Sequence, residues 1–148
     1  GSLYTSIMPN LLVDGVAETL RKSKALKIYI CNVMTQPGET DGYTASMHVK
    51  AILDHAGKGV VDYALVNSAK VPEKTAQSYA AQGSTPVLAD SEALNRLGVG
   101  VITADIVNEA DPGHHDSDKL TRQVMKLLDT LRSSDGMGRR LHSDTTLK

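Results

Sequence analysis

Short apolar runs alternate with amphipathic stretches along most of the chain. The run from Ala25 to Val33 becomes nearly continuous in apolar character toward its end and predicts a strand. Between Thr44 and Ala56, apolar residues recur at Val49, Ile52, Leu53 and Ala56, a helical spacing, with Gly57 placed to end the helix. Asp62 to Asn67 predicts a second strand, and Pro72 to Ala81 a helix that opens on a first-turn proline. Pro86 to Ala89 predicts a brief third strand, and Ser91 to Leu97 a helix that Asp90 is placed to cap. Val99 to Val107 carries the strongest strand pattern. Asp116 to Leu131 aligns Leu120, Val124, Leu127, Leu128 and Leu131 on one helical face, with acids in the first turn. The first 23 residues read as helical with a break near Asn10 to Gly15, and the last sixteen show no periodicity.

Strands buried on both faces and separated by helices predict an α/β fold, a three-layer, doubly wound, mostly parallel sheet of Rossmann-like type. The expected division is one domain over residues 1–132 and a flexible tail over 133–148. Ligands of such sheets collect beyond the carboxyl ends of the strands. Three polar loops follow strands here: TQPGETDGYT (35–44), Asn67 to Lys70, and Asn108 to Asp111. The first is longer than the two to six residues, roughly, that a crossover needs.

Composition narrows the function. The net charge of −1 supplies no basic excess for a general nucleic-acid binder. With no Trp or Phe and five Tyr, the core must be aliphatic. Cys31 is the only cysteine, which excludes an internal disulfide or a cysteine metal cluster and suits a reducing cytoplasm. No apolar run is long enough to span a bilayer, and the N-terminus lacks a signal-peptide layout.

The candidate chemistry is concentrated in the 35–44 loop. Gly38 and Gly42 permit backbone amides to approach a ligand, and Thr35, Thr40 and Thr44 bring hydroxyls to a helix start that favours an anion. The same composition also describes a plain surface turn capped by Thr44, and the two readings stay open. GSLYTS offers a second, weaker helix start lined by Ser2, Thr5 and Ser6. His48 lies beside an apolar stripe and reads first as a structural histidine. His114 and His115 are adjacent and find no third metal ligand, so a capping Asp116 explains that stretch more simply. Glu39 and Asp41 could hold a divalent cation against a diphosphate, or simply be solvated. No nucleophile elbow, Walker loop or paired-cysteine zinc pattern is present.

GSLYTSIMPNLL and NVMTQPGETDGYTASMHVKAI resemble the gluconeogenesis-factor (YvcK) family of the CofD-like superfamily, which includes the 2-phospho-L-lactate transferases. The resemblance runs from Gly1 to about Leu131 and makes GSLYTS a family block. It implies a doubly wound core and a nucleotide-linked ligand, UDP-sugars in the gluconeogenesis factors, with roles in carbon metabolism, cell shape and envelope synthesis. On that basis the ligand-binding residues are Gly1, Ser2, Tyr4 and Thr5 of the first block. From the loop come Thr35, Gln36, Gly38, Glu39, Thr40, Asp41, Gly42 and Tyr43, joined by His48, Tyr79, His114 and His115.

The cysteine usage and the lack of a spanning run or signal-peptide layout predict a cytoplasmic protein, and the resemblance implies dimers and, for the transferase branch, Mg²⁺ with a nucleoside diphosphate. The family's N-terminal glycine-rich strand-turn-helix has no counterpart here, so the chain corresponds to the C-terminal half of the family fold. Met47 stands where the family commonly has Asp, and His114 where it has Arg. The expected function is a UDP-sugar-binding regulator, with no assigned catalytic residue. The alternatives are a phospholactate transferase with a deazaflavin acceptor, and a scaffold with a vestigial pocket.

Overall fold

The computed structural model describes residues 1–143, with side chains through residue 133. Its centre is a parallel sheet of β1 (Ile28–Ile30), β2 (Tyr63–Asn67) and β3 (Gly100–Ala104), in spatial order β1-β2-β3. A wide helical turn over Leu3–Ile7 runs into α1 (Met8–Leu11), and α2 (Val16–Lys22) follows. The crossovers hold α3 (Ala45–Ala56), α4 (Glu73–Ala80) and α5 (Ser91–Arg96), and α6 (Ser117–Ser143) comes last.

Alternation along the strands sorts the core into two layers. On one face, Tyr29, Cys31, Ala64, Val66 and Val101 pack with Val49, Ile52 and Ala56 of α3, Leu94 of α5, and Leu3 and Met8 from the N-terminus. On the other face, Ile28, Leu65, Ile102, Ala104 and Ile106 meet Leu120 and Val124 of α6. Helices therefore lie on both sides of a parallel sheet, the three-layer α/β architecture that the pattern predicts. Aliphatic side chains fill it, as a chain without Trp or Phe requires.

The differences from the predicted elements have physical causes. The 25–33 run is a ladder strand only over Ile28–Ile30. Beyond it, Val33 and Thr35 bond instead to residues 85 and 87: Thr35 N–H donates to Thr85 O (2.7 Å) and Val87 N–H to Val33 O (2.9 Å). The third strand expected at Pro86–Ala89 is only an isolated antiparallel bridge, Met34 with Pro86, because proline has no N–H to extend a ladder. Asp90 precedes α5 without capping it. Its carboxylate accepts from Ser46 N–H (2.8 Å) and Ser46 Oγ (2.5 Å), bracing the start of α3. The α6 backbone continues to Ser143, eleven residues into the stretch where the sequence predicts a tail; residues 144–148 lie outside the described residues.

Candidate functional site

A cleft of about 780 Å³ opens beside β1 and beyond its carboxyl end. Its floor is apolar, with Ile7, Ile28, Ile30 and Leu120. Its far end is polar, with Ser2, Asn32, Thr35, Gln36, Tyr79, Gln82, Ser84, His114 and His115. Among the described residues, no Asp, Glu, Lys or Arg side chain lines it. Of the sixteen expected ligand residues, the cleft brings together Gly1, Ser2, Thr35, Gln36, Tyr79, His114 and His115.

The others are placed elsewhere, and the loop's internal bonding shows why. Thr40 is fully buried, and its Oγ1 accepts the Gln36 N–H (2.8 Å). Asp41 accepts the Gly38 N–H (2.8 Å), and Tyr43 N–H donates to Thr40 O (3.0 Å). Gly38 and Gly42 have φ of 78° and 68° with open space where a Cβ would stand. Glycine is needed there for the left-handed turns, not for a close ligand approach. Tyr4 and Tyr43 pair their hydroxyls at 3.0 Å outside the cleft. Thr5 bonds Ser2 through their hydroxyls. Thr44 caps α3 as expected, accepting the Met47 N–H.

His48 is fully buried against the Tyr43 ring, with Nδ1 bonded to Thr44 O (2.9 Å) and Nε2 buried without a partner. Burial lowers its pKa, partly offset by the Thr44 carbonyl. Nδ1 therefore carries the proton and the ring is neutral, a core histidine rather than a cleft base.

The opposite wall carries signals that the sequence hid. The Tyr79 carbonyl accepts the N–H groups of Gln82 (2.9 Å) and Ser84 (3.0 Å), folding a tight turn after α4. Ser84 Oγ donates to the Thr35 carbonyl, and Thr35 Oγ1 accepts the Thr85 N–H (2.9 Å). This turn is thereby fixed to the 35–44 loop. Tyr79 reaches across to Gly113, where any Cβ would collide with its hydroxyl and ring. Asn32, Gln82, Ser84 and Gly113 are thus cleft residues that no sequence pattern marked.

His115 is half-buried, with Nε2 3.0 Å from Cys31 O at the end of β1. Burial lowers its pKa against the raising effect of that carbonyl, and His114 lowers it further. His114 pairs with Asp111 (2.8 Å) on the exposed rim. Asp116 caps α6 through the Asp118 and Lys119 amides (2.9 and 2.8 Å), as the sequence predicts. Burial pushes the Cys31 thiol up to about 12, so it is no nucleophile at neutral pH.

Magnesium fits this chain's side chains poorly. No carboxylate lines the cleft, and no group of three or more His, Cys, Asp or Glu side chains gathers among the described residues. Among the described residues, four buried side-chain atoms have no hydrogen-bond partner: the Tyr29 hydroxyl, Gln36 Oε1, Glu39 Oε2, outside the cleft lining, and His48 Nε2. Gln36, in the cleft wall, has its Oε1 buried without a hydrogen-bond partner.

A parallel α/β sheet with helices on both faces and a cleft at the strand ends places the chain among Rossmann-like folds. Residues 1–107 match the family described as "2-phospho-L-lactate transferase CofD", and the chain belongs to that family. Among its relatives, the gluconeogenesis factor of Halalkalibacterium halodurans is 47% identical over 85% of this chain and 39% of its own length. That of Bacillus subtilis is 47% identical over 86% of this chain and 41% of its own. A crystal structure of a UPF0052-family protein from Bacillus halodurans superposes with a TM-score of 0.81 at 47% identity, over 84% of this chain and 40% of that one. The chain thus spans about two fifths of the length of the relatives it matches. No helix among the described residues is long and apolar enough to cross a membrane.

Proposed function

We propose that this chain forms one wall of a UDP-sugar site in a gluconeogenesis-factor-type regulator of carbon metabolism and envelope synthesis. The observation that carries the reading is the polar part of the cleft lining, which combines hydroxyl, amide and imidazole side chains with Gln36, whose Oε1 has no hydrogen-bond partner. A neutral acceptor of this kind suits a sugar hydroxyl or a base N–H. At about 780 Å³ the cleft falls in the ordinary range for small-molecule sites.

Regulation is favoured over catalysis by what the cleft lacks. The buried thiol of Cys31 is protonated, His48 stands outside the cleft, and the Nε2 of His115 is held by a main-chain carbonyl. The relatives named gluconeogenesis factors support the same reading. Transferase activity remains the second reading because the matching family carries that description. Charge neutralisation for such a reaction would have to come from groups beyond this cleft lining.

Calorimetric titration with UDP-N-acetylglucosamine, with GDP as control and with and without Mg²⁺, tests the proposal. Saturable binding of the UDP-sugar, independent of Mg²⁺ and weakened at least tenfold by Gln36→Ala, is the expected result. Preference for GDP that requires Mg²⁺ would move the chain to the transferase reading.

A further inference from the structure

The amino end of the sheet, away from the polar part of the cleft, carries a groove of its own that the nucleotide reading does not use. It has a volume of about 400 Å³ and lies where β2 and β3 begin. Leu53, Val61, Leu97 and Val99 line it together with the half-buried Tyr63 ring. Tyr63 and Gly100 are partners in the ladder, and a Cβ at Gly100 would stand 2.5 Å from that ring. Glycine there lets the ring lie across the start of β3.

The surroundings of this groove are basic. Lys58 lines it, Arg96 immediately precedes Leu97 in its wall, and the Arg21 side chain lies along Gly57 and Gly59, on either side of Lys58. Lys24 stands at the same end of the sheet, between α2 and β1, and all four cations are exposed. The acids on these elements are already engaged: Glu18 with Lys22, Asp54 with Lys50, and Asp62 with Lys27 at 3.1 Å. Among the described residues, no carboxylate pairs with Arg21, Lys24, Lys58 or Arg96. Helix dipoles account for part of the pattern. Arg21 and Arg96 sit in the last turns of α2 and α5, and Arg21 also donates to the Ala56 carbonyl at the end of α3. Lys24 and Lys58 belong to no helix, so that explanation does not reach them.

We propose that this end of the sheet is a docking surface for an acidic polypeptide segment of a partner protein, anchored by one apolar side chain. The anchor would fill the groove between Leu53, Leu97 and Tyr63. Acids on either side of it would meet Lys58 and Arg21 beside one loop and Arg96 beside the other. Nucleic acid fits less well, because the interior is apolar and the Asp62 carboxylate in the wall would face a phosphate. A second copy of this chain is also a poorer occupant. Its Asp105, Glu109 and Asp111 lie beyond the carboxyl end of β3, so the contact would be heterologous and would run on into an open chain. Docking and nucleotide binding are separable, since they use opposite ends of the strands.

The test follows the fluorescence anisotropy of the labelled peptide EDELEDE as the full chain is added at low salt, with EDESEDE as control. Saturable binding of EDELEDE is expected. It should weaken about tenfold in Lys58→Glu, in Arg96→Glu and on the leucine-to-serine exchange in the peptide. Backbone amide shifts should fall at Lys58, Gly59, Leu97 and Gly98, with Gln36 and Gln82 unmoved. The shifts on the wild-type chain decide the matter even where a variant fails to fold. No saturable binding, or binding that survives both substitutions, would overturn the proposal. Tighter binding of oligothymidylate or of phosphatidylglycerol vesicles at the same amides would assign the surface to nucleic acid or membrane and overturn it equally. Self-association that rises with concentration and is lost in Lys58→Glu would assign it to a second copy, with the same consequence.

Discussion

The 35–44 loop and the wall facing it divide the work of the site unequally. The loop holds the densest polar chemistry in the chain, yet Thr40, Asp41 and Thr44 spend their side chains on main-chain amides of the loop and of the helix that follows. The facing wall, Tyr79 to Ser84 and Gly113 to His115, has an ordinary sequence but lines the cleft with Tyr79, Gln82, Ser84, His114 and His115. Of these, Ser84 Oγ and His115 Nε2 are bonded to the main-chain carbonyls of Thr35 and Cys31. Density of polar residues therefore reports here on how a long loop is held, and position at the strand ends reports on what it can bind.

The comparison is most easily broken at Thr40. Thr40→Val removes a fully buried acceptor and strands the Gln36 N–H, which should cost about 1–3 kcal/mol in a denaturant melt. Unchanged stability would mean the loop is not held from within. Asp90→Ala should cost somewhat less, about 1–2 kcal/mol, by freeing the Ser46 amide and hydroxyl. Burial pushes the Asp90 carboxyl up, but the Ser46 hydrogen bonds outweigh it and its pKa is lowered overall. Its contribution is therefore fully present above the ordinary value near 3.8 and lost as pH falls below it. The acid limb of a stability–pH curve should flatten there in Asp90→Ala.

A gentler slope is expected from His48. Its folded pKa lies below the ordinary 6.5, so the unfolded chain binds the extra proton first as pH falls. Stability should be full above pH 6.5, decline below it, and lose that decline in His48→Gln. A wild-type curve flat from pH 7 to 5 would contradict the neutral buried ring. The smallest effect belongs to Asp41→Ala, which exposes only a loop amide and should change stability by about 0.5 kcal/mol or less.

Much of the fold was legible because periodicity and burial agree. The α3 stripe of Val49, Ile52 and Ala56 and the β2 run are placed as the pattern predicts. What failed were features decided by partners distant in sequence. Asp90 found Ser46 rather than its own helix, and Pro86 met Met34 in a single bridge. The site was half legible. Thr35 and Gln36 stood out by following a strand. Gly113 did not, since its reason is the Tyr79 ring brought against it from α4, a contact that only the folded chain creates.

The most direct test of the central claim is to follow backbone amide resonances of the isotopically labelled chain while UDP-N-acetylglucosamine is added. The account predicts saturable shifts at Gln36, Gln82, Ser84 and His115, with Gly38 to Gly42 nearly unmoved. Shifts confined to Gly38 to Gly42, with the facing wall silent, would contradict it.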